Sequence, residues 1–496
     1  MAGLQNMTPF ETAAFPLALL GTFLSIAGNA AAAESPQPIT ADWFKTAAVT
    51  TNDSRNNSGT ATGEGTEGAA DKSYLIPIAE ILGFDFLLNQ FNRHFISDDY
   101  KSTLPTIRHN LRSSWEVDHD PFTVNQIGHP YQGSMYHGFA RSAGLDYWES
   151  LGYTVAGSAL WEVAGENTPP SRNDQITTGF GGSFLGESLF RMAGLVLDDS
   201  DMPKFWRELA AAAISPSTGF NRLAFGDRFK SAFSSHDPEY YGRLAVGVAT
   251  VTRNETGPSD KLQHTEGLVD FSLDYGLPGK SGYSYDRPFD YFSFQATAST
   301  ANGFENLMTR GLLFGTDYEL GKNYRGIWGL YGSFDYIEPQ IFRVSSTALS
   351  IGTNGQWWVS NAIALQGSAL AGAGYAAVGT VHGTTDNDYH FGVTPQGLIS
   401  LRAIFGDRAS LGTTTREYFV SRAGDSARTA HDNIIRTDVA FTVRVYERHA
   451  VSVRYLLNRR DTSSSTVGDI SQSTATIGLF YTLLGKNNGF GAYDWR

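Results

Sequence analysis

The sequence contains no cysteine, which excludes thiol catalysis, thiolate metal sites and disulfides. That absence fits a chain that crosses an oxidising periplasm. No long basic run is present, and 37 Lys and Arg stand against 50 Asp and Glu, a formal net charge of −13. Nucleic acid is not expected as a partner, because neutralising phosphates takes clustered Lys and Arg. Nor does any stretch after the N-terminus reach the ~18 uninterrupted apolar residues of a membrane helix. Membrane spanning would therefore fall to strands. Charged residues make up only 18% of the chain, below the roughly 25% of an average soluble domain.

Aromatic residues reach 13% and glycine 53 of 496 positions. That combination suits a membrane barrel, whose outer wall takes aromatic and aliphatic side chains and whose bends take glycine. At the N-terminus, Phe15 to Ala27 is an apolar stretch followed by Ala30 to Ala33 and Glu34. It predicts a secretory signal over residues 1–33, cleaved after Ala33. The residues ahead of it include Glu11 and no Lys or Arg, a departure from the usual positive leader. Residues 34–72 are small and polar, as in Asn52 to Gly65, and read as a flexible linker.

Helical periodicity follows, over residues 73–220 with a core at about 110–215. Tyr74 to Phe95 places Ile78, Ile81, Leu82, Leu88 and Phe91 near a 3.6 repeat. Met135 to Ser142 and Tyr147 to Val163 also fit helices, and Pro169-Pro170 stops the second. Ser171 to Asp174 matches a capping box for a third helix running through Arg191. Met202 to Ile214 makes a fourth, bounded by Ser215-Pro216.

The barrel is assigned to residues 221–496, and after Tyr240 the pattern becomes period two, in about a dozen runs between Tyr241 and Leu484. Val439, Phe441, Val443 and Val445 alternate with Ala440, Thr442, Arg444 and Tyr446, and Val451, Val453, Tyr455 and Leu457 repeat the pattern. Runs of ~10–14 residues match tilted strands crossing a bilayer, whereas sandwich strands average nearer 5–6. Strands in lipid cannot leave an edge unpaired, so the sheet should close. The predicted fold is α+β: a helical module followed by a closed antiparallel transmembrane β-barrel of about 12 strands. A water-bathed β-sandwich is the competing architecture. Small residues from Ala362 to Val378 leave room on one wall, either for the helical module inside the lumen or for glycine kinks that shape the barrel.

Polar residues concentrate between Trp115 and Glu187. Ser158, Glu162 and Glu166 fall at i, i+4 and i+8, one stripe if the helix persists. Two carboxylates on one face repel unless they share a proton, a cation or an Arg. His129 and Arg141 are the partners available from the preceding segment. His129, Glu162 and Glu166 are the candidate metal ligands, and His129, Arg141, Glu162, Glu166 and Asp174 the candidate catalytic groups. Capping alone accounts for Ser171 and Asp174, and a packing network accounts for paired charges in helical hairpins. No Ser-His-Asp order, His-Glu-x-x-His or phosphate-cradling glycine loop is present.

The same stretch carries His129-Pro130-Tyr131 with Tyr136, Ala140-Arg141, Gly157-Ser158 with Trp161-Glu162, Pro170-Ser171 with Asn173-Asp174, and Gly181-Gly182 with Gly186-Glu187. In these ordered blocks it resembles the bacterial family catalogued as domain of unknown function 3943. The resemblance implies an envelope protein with a C-terminal barrel and no stated activity. A departure from barrel habit is the tail Gly485 to Arg496, which follows the last strand pattern.

The leading expectation is an outer-membrane protein with a helical plug or periplasmic cap, structural or ligand-binding or ligand-passing in role. The alternative is an outer-membrane lipid- or envelope-modifying enzyme using the carboxylate and His site. Outer-membrane lipid and the barrel-assembly machinery are the expected partners. The sequence names no cofactor and no oligomeric state.

Overall fold

The computed structural model describes residues 72–118, 120–233, 237–255, 262–280, 282–380, 389–422, 430–464, 468–485 and 490–491. The expected signal sequence, nearly all of the expected linker, and tail residues 486–489 and 492–496 lie outside these.

Among the described residues eight α-helices come first: α1 (Leu75–Phe95), α2 (Leu104–Asn110), α3 (His129–Ser142), α4 (Tyr147–Ala164), α5 (Arg172–Ile176), α6 (Gly182–Leu197), α7 (Lys204–Ile214) and α8 (Pro216–Phe225). Local chemistry sets their ends. Asp146 accepts from the Glu149 amide while Glu149 reaches back to the Asp146 amide, so α4 opens on a reciprocal capping box. Ser171 Oγ accepts from the Asp174 amide and opens α5. Two π-helical turns, Val124–Gly128 and Thr177–Gly181, lead into α3 and α6. No described helix is long and apolar enough to cross a membrane.

The strands are β1 (Tyr240–Glu255), β2 (Leu262–Tyr275), β3 (Phe292–Ser299), β4 (Asn306–Leu320), β5 (Tyr324–Ile337), β6 (Phe342–Ser360), β7 (Ile363–Thr380), β8 (Tyr389–Phe405), β9 (Ala409–Arg422), β10 (Ala430–Tyr446), β11 (His449–Ser464) and β12 (Gly468–Leu484). Each pairs with its neighbours in sequence, and β1 pairs with β12 to close a twelve-strand antiparallel barrel. Closure leaves the sheet without a terminal edge, as strands in hydrocarbon require. Strand β3 is much shorter than its neighbours and meets β4 only from Phe292–Gly311 to Thr297–Asn306.

The two faces of the wall differ as the alternation predicts. On β11, Val451, Val453 and Tyr455 are exposed, while Ser452, Leu456 and Asn458 are buried in the lumen. Charged pairs brace the interior: Arg454 reaches Asp270 on β2 at 2.9 Å and Asp438 on β10 at 2.9 Å, and Arg460 reaches Asp432 at 2.7 Å. A cavity of about 200 Å³ remains, lined by Arg243, Asp274, Arg310, Asp335, Arg402 and Arg416 among others. At the end where the chain enters β1 and leaves β12, the β2–β3 connection and residues 490–491 fold inward. Tyr291 donates to Asn354 at 3.0 Å, Gln366 donates to the Gly491 carbonyl at 2.8 Å, and Phe490 packs with Tyr241 and Leu277. At the opposite end Met308, Ile341, Phe342, Val420 and Ile434 cluster across the lumen.

The helical module lies against the outside of the wall. Ser333 and Asp335 of β5 line the lumen cavity, so Gly332 and Phe334 between them face outward. Those outward positions meet the helices: a Cβ on Gly332 would fall 2.4 Å from the Phe184 ring, and one on Gly181 would fall 3.2 Å from the Phe334 ring. Ser188 hydrogen-bonds Thr309 at 2.5 Å, and Phe122 packs edge-on to Tyr389 at 5.2 Å. The module packs on the outer wall, in place of the expected luminal plug or periplasmic cap. The small residues of β7 serve the strands instead, since a Cβ on Gly372 would lie 2.0 Å from the Leu349 carbonyl oxygen of β6.

A candidate metal centre and a buried Glu187 network

His129 opens α3, Glu162 sits in the last turn of α4, and Asp174 lies in α5. Each offers a ligand-type atom, and the three atoms lie within 4.8 Å of one another. All three residues are buried, and His129 Nδ1 is buried with no hydrogen-bond partner. Both π-helical turns border this trio, and such turns recur where backbone is shaped around a functional group.

Surrounding groups fix the carboxylates. Glu162 Oε2 accepts from the Ser171 amide at 2.8 Å, and Asp174 Oδ1 accepts from Asn173 Nδ2 at 3.0 Å. Asn173 Oδ1 in turn accepts from the Asp118 amide at 2.8 Å. The barrel closes one side: Asn125 donates both to Asp118 at 3.0 Å and to the Tyr389 hydroxyl at 2.9 Å. Tyr389 then donates to the Asp120 carbonyl at 2.7 Å.

Charge around the trio is one-sided. Burial, then Asp174 and Glu166, raises the Glu162 carboxyl well above the ordinary range. Burial, then Asp118, does the same to Asp174. Asp120 is pushed up to about 6, mainly by burial and by Asp118. Among the described residues, no Lys or Arg pairs with Glu162, Glu166 or Asp174. An aqueous cation with free coordination positions would relieve this repulsion, and imidazole with two carboxylates is a donor set for Zn²⁺ or Mn²⁺.

Two of the residues expected here are engaged elsewhere. Helix α4 ends at Ala164, so Glu166 leaves the stripe. Its carboxylate accepts from Trp161 Nε1 at 2.8 Å and from Thr168 at 3.2 Å. Burial pushes it up to about 7, against the pull of His129. Asp174 takes the third position that the sequence had suggested for Glu166. Arg141 points to a different carboxylate, Glu187, at 2.7 Å.

Glu187 is fully buried and receives three partners: Arg141, His137 Nε2 at 3.1 Å and Arg191 at 2.8 Å. Arg191 continues outward to Asp290 at 3.0 Å, tying α6 to the barrel. Burial works against the Glu187 carboxylate, yet Arg141 foremost, with His137 and Arg191, holds it well below the usual range. The signal for this network was present as two i, i+4 pairs, His137 with Arg141 and Glu187 with Arg191.

Two carboxylates on α1 behave in the opposite sense. Burial pushes Asp85 up to about 7 against hydrogen bonds from Tyr136 and Gln132, and pushes Glu80 up to about 8 against Asn221. A raised folded pKa contributes stability in full below the unfolded value and loses it as pH rises through the folded one. The docking of α1 is therefore expected to weaken between pH 5 and 9, measured by hydrogen exchange of Leu75–Phe95. The double variant Asp85→Asn, Glu80→Gln should flatten that dependence; an unchanged slope would refute the assignment.

Three solved structures are similar to part of this chain. A NanC porin is 7% identical, covering 47% of this chain and 98% of its own, with a TM-score of 0.23. An anion-selective porin from Comamonas acidovorans is 10% identical, covering 50% and 99%, with a TM-score of 0.21. The outer membrane channel DcaP of Acinetobacter baumannii is 8% identical, covering 50% and 97%, with a TM-score of 0.23. Comparison with curated proteins gives no match. Residues 114–217, the segment that carries the trio and Glu187 with its helical partners, match the family model described as Domain of unknown function (DUF3943).

Proposed function

We propose that this chain is an outer-membrane protein whose barrel carries a divalent-cation-binding helical module on its flank. The observation that carries the cation site is the trio itself: His129, Glu162 and Asp174 present ligand atoms within 4.8 Å, beside a His nitrogen with no other partner. The exposed apolar belt around the barrel supports the membrane location. Outer-membrane lipid and the barrel-assembly machinery are the partners this location implies. The lumen favours a binding role over a passage role, because the β2–β3 connection and Phe490 pack into one end and an apolar cluster lies across the other.

The test is metal content and titration calorimetry on the full chain purified in detergent and stripped with chelator. The wild type is expected to take up about one Zn²⁺ or Mn²⁺ per chain. Glu162→Gln and Asp174→Asn should each weaken binding by tenfold or more, since loss of even an outer-shell partner of a ligand typically costs about 10–100-fold. A wild-type protein that binds neither ion would overturn the proposal. The membrane location is checked separately: density fractionation should place the chain with outer-membrane markers.

A further inference from the structure

We infer that the outward face of the helical module is immersed in the hydrocarbon of the bilayer that holds the barrel, making it a lateral intramembrane domain. The inference goes beyond cation binding and rests on the barrel being membrane-embedded.

Helix α1 is inverted relative to a helix on a water-soluble protein. From Leu75 to Phe91 every exposed position is an apolar residue or glycine, while Asp85 and Asn89 are buried and Glu80 is mostly covered. A surface helix in water places its charges outward and its apolar stripe inward. Helix α4 repeats the inversion: its exposed positions are Trp148, Gly152, Ala156 and Leu160, one i, i+4 stripe without a polar side chain. On α8, Leu223 is 86% exposed. The polar groups sit in the module interior, around Glu187 and the trio.

This apolar face is continuous with the belt of the barrel. Trp148 on α4 is 41% exposed and Phe314 on β4 is 58% exposed. The two rings stack at 4.9 Å with planes 14° apart, joining the surfaces where module meets wall. Continuity of that kind commits the occupant to lipid acyl chains, since water would have to end abruptly along a seam with apolar surface on both sides. Helices satisfy their own backbone, so they tolerate hydrocarbon without spanning it. The two adjoining glycines at the α3–α6 crossing, Gly133 and Gly182, give the close packing that helices use in lipid.

The absence of native cysteine makes the test direct. Nitroxide labels are placed singly by Leu82→Cys, Phe86→Cys and Ala156→Cys in the full chain, reconstituted in phosphatidylcholine vesicles. References are Ile399→Cys on the barrel belt and Asp98→Cys on an exposed polar turn. Oxygen collision should exceed that of a water-soluble nickel chelate at the three module sites, matching position 399 and opposite to position 98. Nickel access at the module sites equal to that at position 98 would overturn the inference. So would protection from both reagents with dipolar broadening, which would mean a second copy covers the face. Should position 399 itself be open to nickel, the membrane reading of the barrel fails first, and the inference with it. Ala156→Cys changes little volume, so it remains informative if a larger substitution impairs folding.

Discussion

Replacement of Glu187 by alanine is expected to destabilise the helical module by about 3–5 kcal/mol, the range for breaking one side of a buried ion pair. Three partners lose their acceptor at once: Arg141, Arg191 and His137. His137 is fully buried and cannot turn to water, and the two guanidiniums are largely covered at the α3–α6 contact, 16% and 9% exposed. Glu187→Gln should lose less, since an amide oxygen still accepts from one guanidinium. The measurement is proteolysis of the module at increasing denaturant, with heat-modifiable migration reporting the barrel separately. The wild-type network has a defined response to acid. Its carboxylate is depressed by Arg141 and its companions, so its contribution is present above the unfolded carboxylate pKa and persists until pH falls well below it. Near pH 4 the wild type should therefore keep this contact. If Glu187→Ala leaves the proteolysis midpoint unchanged, the network is not what holds the module.

Gly182→Leu is expected to be comparably severe, for a steric reason. A Cβ at position 182 would lie 2.6 Å from the Gly133 Cα and 2.9 Å from the Pro130 carbonyl oxygen. Both obstacles are backbone, so relief requires α3 and α6 to separate. Overpacking that shifts backbone typically costs about 1–3 kcal/mol and occasionally more, and the upper end is expected where two helices must part. Because α3 carries His129 and the turn before α6 follows Asp174, separation would also spread the trio. Loss of cation binding should accompany the loss of stability. Gly152→Ala is the matched control, with nothing within 4 Å of the added carbon. It should be neutral or stabilise the helix by about 0.5–1 kcal/mol. Equal thermal midpoints for Gly182→Leu and wild type would defeat the argument.

The barrel was legible in the sequence because period two is a local property. The run through Val439, Phe441, Val443 and Val445 names the outward face of β10 without knowledge of any partner. The trio was partly legible, since His129, Glu162 and Asp174 all lie in polar blocks of the motif region. What misled was helix length: α4 stops one residue before Gly165, so a stripe extrapolated to Glu166 runs past its end. The partner of Arg141 was hidden for another reason. Two cationic positions and several carboxylates occur within reach in sequence, and only the α3–α6 crossing selects Glu187. The flanking position of the module had no sequence signal. Phe292, Phe334 and Tyr336 face outward against helices, and an apolar residue facing a helix reads the same as one facing lipid.

The short third strand has a mechanical consequence. A hoop under sideways load parts along its weakest joint, and here that joint runs between β3 and β4, where the ladder is shortest. The helices lie across it. On one bank Arg191 grips Asp290 and Phe184 stacks on Phe289; on the other Ser188 holds Thr309 and Trp148 covers Phe314. The module acts as a splint over the gap in the staves, so wall and helices would loosen together.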